Sequence, residues 1–187
     1  MKSMMRLVLT LFLICALVAA ALAGVDAITK DRIATARQEK QEKAIAQVLP
    51  DGKNLLSVPY QDETGLIKEV LAPDGNSQSG MLAVQVEVPG FGGLISMIVG
   101  IQDGTPSGVS LVSHSETPNL GAVAGENSQK GQAFRNQFIG KQSPLAVNKD
   151  GGQIDAITSA TITSRAVTRG VNAALRCAAS LQEGGPA

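Results

Sequence analysis

Hydrophobic and polar positions divide the chain into three stretches with different periods. From Leu7 to Val25 the residues read "LVLTLFLICALVAAALAGV" without a charge, close to the ~20 apolar residues a helix needs to cross a bilayer. "ITKDRIATARQEKQEKAIAQVL" follows with helical periodicity and a thin apolar edge at Ile33, Ala44, Ile45 and Val48, and Pro50-Asp51-Gly52 stops it. The period then falls to two. "LLSVPY", "LIKEVLA", "MLAVQVEV", "GLISMIVGI" and "GVSLVSHS" read as strands, with Leu82, Val84, Val86 and Val88 on one face. "PDGN" and Gln102-Asp103-Gly104 supply turns, so the sheet is mostly antiparallel.

Helical spacing returns in "QAFRNQFIG", where Phe134 and Phe138 stand one turn apart and Gly140 marks the expected stop. Asp150-Gly151-Gly152 inside "AVNKDGGQIDAI" reads as a second hairpin signal. From Thr163 to Leu181 apolar residues recur at Val167, Val171, Ala174, Leu175, Ala178 and Leu181, one helix face. The expected class is α+β: a single N-terminal transmembrane helix, then an antiparallel sheet packed with helices. Residues 1–28 read as the anchor, 29–50 as a helical connector, 51–182 as the folded domain and 183–187 as a flexible tail. A cleaved signal sequence is the alternative for the first segment, with "ALA" ending at Ala23 as its cleavage site. Lipoprotein processing at Cys15 is excluded, because Ile14 is too bulky for the preceding position. Lys2 and Arg6 ahead of the span favour a cytoplasmic N-terminus in the inner membrane and a domain on the periplasmic or extracellular side.

Composition removes several function classes. Sixteen basic residues balance sixteen acidic ones, and the chain has four Phe, one Tyr and no Trp. Neither a basic phosphate-binding surface nor an aromatic stacking platform is present, which argues against nucleic acid. Two cysteines and one histidine leave too few soft ligands for a metal centre, and no metal site is expected. What remains is an excess of hydroxyls in "DAITSATITS", Asp155 to Ser164, just ahead of the last helix. Helix capping accounts for such clusters in most sequences. A helix start, with unpaired N–H groups and a positive dipole end, also stabilises a phosphate, including one esterified to a threonine there.

"DAITSAT" resembles the flavinylation motif D-x-x-[ST]-G-A-[TS], whose last residue carries FMN through a phosphoester. Asp155, Thr158, Ala160 and Thr161 match, and Ser159 stands where glycine is usual. "SHSETPNLG", Ser113 to Gly121, is similar to the HxETPGLG loop of the RnfG and NqrC components of ion-translocating redox complexes. His114, Glu116, Thr117, Pro118, Leu120 and Gly121 match, and Asn119 replaces a glycine, as a left-handed residue would. The resemblance covers nearly the whole chain, is strongest from Gly93 to Ala174, and by length lies nearer the RnfG side of this FMN-binding family.

The resemblance implies covalent FMN on Thr161, attached with the help of Mg²⁺ by a flavin transferase that takes it from FAD. Asp155, Thr158, Ser159 and Ala160 then belong to the recognition motif. It implies that Thr117 and Leu120 line the isoalloxazine, that Glu116 lines it or stabilises the loop, and that Arg165 neutralises the phosphate or is a solvated surface residue. His114 is either a proton-transfer group or a structural one. Lys130, Arg135 and Lys141 read as the polar face of their segment. The implied role is an electron-transfer component, without catalytic residues of its own, of a membrane-bound ferredoxin:NAD⁺ oxidoreductase that translocates ions with other Rnf subunits. An NqrC-like component of a sodium-translocating NADH:quinone oxidoreductase and a non-redox anchored binding module are the alternatives.

Overall fold

The computed structural model describes residues 2–62 and 64–183. Helix α1 runs from Lys2 to Val48 without interruption. The chain divides into two compact units, Met1–Lys40 and Gln41–Ala187. In the first, the apolar side chains from Met4 to Ile28 are exposed. This is the one helix among the described residues long and apolar enough to cross a membrane. The expected tail at 183–187 lies, beyond Glu183, outside the described residues.

In the second unit five strands form an antiparallel meander in the order β1-β2-β3-β4-β5: Leu55–Ser57, Ile67–Pro73, Met81–Pro89, Leu94–Gln102 and Thr105–Ser113. The alternation in β3 sets its register, with Val84 opposite Val99 and Leu82 opposite Ile101. Leu82, Val84, Val86 and Val88 are all buried on the face that meets the last helix. The continuous apolar run of β4 has a different cause, since the strand is central and covered on both faces. Asp103 and Gly104 both take positive φ, the geometry a two-residue hairpin turn requires. "LLSVPY" contributes only three paired residues, an edge strand too short to invite pairing with another chain.

Helix α2 spans Gln129–Asn136 and α3 spans Thr161–Gln182. The six apolar positions read from the sequence all face the core from α3, where Val167, Val171 and Ala174 are fully buried. At roughly 1.5–3 kcal/mol per large buried side chain, this face supplies much of the stability of the sheet–helix layer. Three expectations need correction. Helix α2 ends at Asn136 and the chain reaches Gly140 (φ 70°) through turns, because Phe138 tucks fully into the core. The segment around Asp150-Gly151-Gly152 is a single 3-10 turn with one bridge between Val147 and Ile154, since Gly151 provides a left-handed stop rather than a hairpin. Helix α3 starts at Thr161, two residues before the expected start at Thr163, and its first turn carries the hydroxyls of Thr161, Thr163 and Ser164.

The other sheet face is covered by the last turns of α1. Ala44, Val48 and Leu49 pack against Ala83 and Ile98. Gln41 Nε2 donates to Glu69 and Gln85, and Ser107 Oγ donates to the Val48 carbonyl at 2.6 Å. Two glycines make room for this contact. A Cβ on Gly100 would overlap the Val48 carbonyl oxygen, and one on Gly108 would lie 3.1 Å from Val48 Cα. Backbone cannot swing aside as a side chain does, so Gly100→Ala forces the helix segment off the sheet. We expect a stability loss of about 1–3 kcal/mol in chemical denaturation, the range for overpacked contacts. An unchanged midpoint would show that residues 41–48 are not seated there.

Candidate functional site

Glu116 organises the site. It lies just after β5, only 6% exposed, and accepts three hydrogen bonds. Oε1 takes the N–H groups of Phe91 (2.9 Å) and Gly92 (3.1 Å), and Oε2 takes the Thr163 hydroxyl at 2.5 Å. One carboxylate thus ties together the β3–β4 connection, the ETPNLG segment and the start of α3. These bonds tie down the loop, and Glu116 also lines the smaller of two cavities. Packing is tight around it. A Cβ on Gly121 would overlap Glu116 Oε2 and lie 2.5 Å from Thr163 Oγ1, which accounts for glycine at that position.

The hydroxyls of "DAITSATITS" separate into different tasks. The N-cap of α3 is Ala160, with no side-chain cap, so none of them serves as its N-cap. Ser164 is buried, donates to the Ala160 carbonyl and accepts from the Ile157 N–H at 3.0 Å, closing the turn from within the helix. Thr163 goes to Glu116. Ser159 has φ 63°, a left-handed conformation that costs a non-glycine residue about 1 kcal/mol and explains glycine in the motif it resembles. Asn119 has φ 61°, as its replacement of a glycine suggested. Thr161 is the first residue of α3 and half-buried, and its hydroxyl has no hydrogen-bond partner among the described residues.

Residues 155–163 contribute to the lining of two cavities. One, of about 310 Å³, is lined by Phe91, Glu116, Thr117, Leu120, Gly121 and residues 159–163. The other, of about 730 Å³, is lined by Asn119, Leu120, Val123, Lys130, Ala133, Phe134, Gln137 and residues 155–159. Leu120 and Ser159 border both. Volumes of this size suit a cofactor rather than an ion. Asp155 stands at the rim, with its carboxylate accepting from Asn148 Nδ2 and its N–H donating to Gln137 Oε1 at 2.7 Å. Thr158 is exposed beside it.

Two of the expected site residues lie apart from both cavities. Arg165 is engaged elsewhere: Nε and a terminal nitrogen grip Asp150, which raises the guanidinium pKa and lowers that of the carboxyl. His114 packs against Gly125, and its buried Nδ1 has no partner among the described residues. Arg135, expected on a polar face, is instead buried. It donates to the carbonyls of Ala124 (2.6 Å) and Glu126 (2.9 Å), and burial lowers its pKa. Phe91, Ile162 and Thr163 line the smaller cavity without having been expected there. "PGFGG", an aromatic residue held between glycines in a hairpin connection, was the available signal for Phe91. Cys177 is sealed in the core, where burial pushes its thiol up to about 12 and leaves it unreactive. Among the described residues there is no cluster of metal-ligating side chains.

An FMN-binding domain model matches residues 90–176, from the β3–β4 connection well into α3, and an RnfG N-terminal region model matches residues 1–48. The chain is 37% identical to the G subunit of the ion-translocating oxidoreductase complex of Stutzerimonas stutzeri, over 89% of its own length and 77% of that protein. The chain belongs to the RnfG family. Another RnfG relative is the G subunit of the Na(+)-translocating ferredoxin:NAD(+) oxidoreductase complex of Acetobacterium woodii, 30% identical over 94% of this chain and 91% of that one. Among solved structures, the C subunit of the Na(+)-translocating NADH-quinone reductase of Parabacteroides distasonis aligns with a TM-score of 0.43 and 21% identity, over 62% of this chain and 60% of that one. The FMN-binding domain model contains both motif segments and the Phe91 loop, so the two cavities lie largely inside the matched region.

Proposed function

We propose that this protein is a membrane-anchored electron-transfer component of an ion-translocating ferredoxin:NAD⁺ oxidoreductase complex, carrying FMN esterified to Thr161. The observation that carries this reading is the position of the Thr161 hydroxyl. It opens a 22-residue helix, has no partner among the described residues, and borders a cavity lined by both motif segments. The residues present fit the group. A phosphoester at the first position of α3 lies where uncapped N–H groups and the helix dipole favour negative charge.

In maturation Thr161 Oγ1 attacks the riboflavin-side phosphorus of FAD in a flavin transferase. The new P–O bond forms as the pyrophosphate linkage breaks, AMP leaves and the hydroxyl proton passes to base. Asp155, Thr158, Ser159 and Ala160 present the hydroxyl in a turn held from behind by Ser164. Glu116 fixes the facing loops, and Leu120 and Thr117 offer an apolar contact and a hydroxyl to the ring. Bound FMN supplies the redox chemistry, and the protein supplies position and surroundings. Arg165, held by Asp150, is not counted among the residues that meet the phosphate.

The membrane-anchoring reading assigns residues 1–28 to the span, 29–50 to a connector and 51–182 to the flavin domain, on the periplasmic or extracellular side. Its partners are the other subunits of the complex. The complexes named for the relatives favour the RnfG form over an NqrC-like one. Intact mass of the chain produced with its flavin transferase tests the central claim. We expect an increase equal to FMN less one water, mapped by digestion to the peptide containing Thr161. A chain that remains unmodified under those conditions leaves the non-redox binding module as the better reading.

A further inference from the structure

Phe91 stands apart from the other aromatic side chains of the folded unit. Phe134 and Phe138 form an edge-to-face pair in the core, with ring centroids 5.5 Å apart, and Tyr60 is partly buried. Phe91 is 66% exposed. A single exposed apolar side chain on a mobile loop would need no explanation. This loop, however, is fixed from three sides. The Phe91 and Gly92 N–H groups are bound by Glu116, and Gly90 N–H closes onto the Gly93 carbonyl at 2.8 Å. A Cβ on Gly92 would overlap the Ser115 carbonyl oxygen, so the backbone lies flat against the ETPNLG segment. A buried carboxylate and close glycine packing hold in place a residue that itself buries little. The ring borders the cavity beside Thr161, which Leu120 and the exposed Ile162 also line.

We infer that Phe91 is the aromatic cover of the flavin site, closing over the isoalloxazine so that the ring is held between Phe91 and the Leu120 side of the cavity. This rests on the Thr161 reading above. A flat, largely apolar ring presents the face that an aromatic side chain contacts best, and an aromatic pair of ordinary strength shifts an open–closed ratio about threefold to tenfold. The role is positional. Phe91 excludes water and small solutes from the ring and takes no part in proton or electron bookkeeping.

The experiment uses full-length protein produced with its flavin transferase, and mass is measured first to establish flavin loading. Tryptophan quenches flavin emission by electron donation at contact, whereas phenylalanine does not. Phe91→Trp is therefore expected to lose most of the flavin fluorescence. Leu56→Trp, at a comparably exposed site on edge strand β1 that borders neither cavity, is expected to keep it. Phe91→Ala is expected to raise the iodide quenching constant of the flavin about threefold or more, the scale of one lost aromatic contact. Full flavin loading with a bright Phe91→Trp, or with iodide access unchanged in Phe91→Ala, would overturn the cover and leave the Thr161 ester standing. Absence of flavin from the wild-type chain would overturn both.

Discussion

Thr161→Ala is expected to abolish covalent flavin completely: no fluorescent band under ultraviolet light after denaturing electrophoresis, and no mass increase. The effect is all-or-none because the variant removes the oxygen that forms the ester, and the neighbouring hydroxyls cannot take its place. Thr163 and Ser164 are buried and bound to Glu116 and to the Ala160 carbonyl. Thr158 and Ser159 both precede the helix; Thr158 faces the larger cavity, and Ser159 is fixed in the left-handed turn that leads into α3. Folding should be nearly unaffected, since Thr161 is half-buried and makes no side-chain hydrogen bond with the described residues, and such positions change stability by about 0.5 kcal/mol. Thr161→Ser keeps the hydroxyl and is expected to be modified. Flavin retained on Thr161→Ala, whether at Thr158 or elsewhere, would place the handle wrongly.

The second large effect falls on stability. Glu116→Ala leaves two backbone N–H groups and the Thr163 hydroxyl without the acceptor they share, at a position only 6% exposed. Each buried donor left unsatisfied costs about 1–3 kcal/mol, and partial entry of water brings the expected total to about 3 kcal/mol. For a chain of this size that corresponds to a fall of roughly 10 °C in melting temperature. Glu116→Gln retains a carbonyl oxygen for the two N–H groups and an amide for Thr163, whose hydroxyl can reverse and accept. It is expected to recover most of the loss. Equal melting temperatures for Glu116→Ala and the wild-type protein would mean that the three-segment clamp is not formed in solution.

Much of this architecture is written in local pattern. Period-two alternation located β3 and the charge-free run located the apolar part of α1, because burial on one face or along one element dictates residue type directly. The failures share a cause as well. The turn at 148–152 carries the residues of a hairpin, yet the segments flanking it meet in a single bridge, and a hairpin signal records only what the turn itself permits. Arg135 reads as polar in the sequence. Its burial depends on two carbonyls, from Ala124 and Glu126, that come within reach only once the loop before α2 has folded back. The start of α3 was misplaced because Thr161, Thr163 and Ser164 carry hydroxyls, and the first turn is held by contacts of Thr163 and Ser164 to Glu116, Ile157 and Ala160 rather than by an apolar stripe. The two motif segments that line the cavities were marked by resemblance, whereas Phe91, on a hairpin connection, joins them only in three dimensions.

The enclosed sulfur of Cys177 has a practical consequence. With its proton held so firmly and Cys15 confined to the apolar helix, the folded unit offers alkylating reagents nothing to attack. In a Cys15→Ser background, a cysteine introduced at any solvent-facing position of that unit becomes its single labelling point. Nitroxides or dyes can then be placed one at a time to measure distances within the assembled complex.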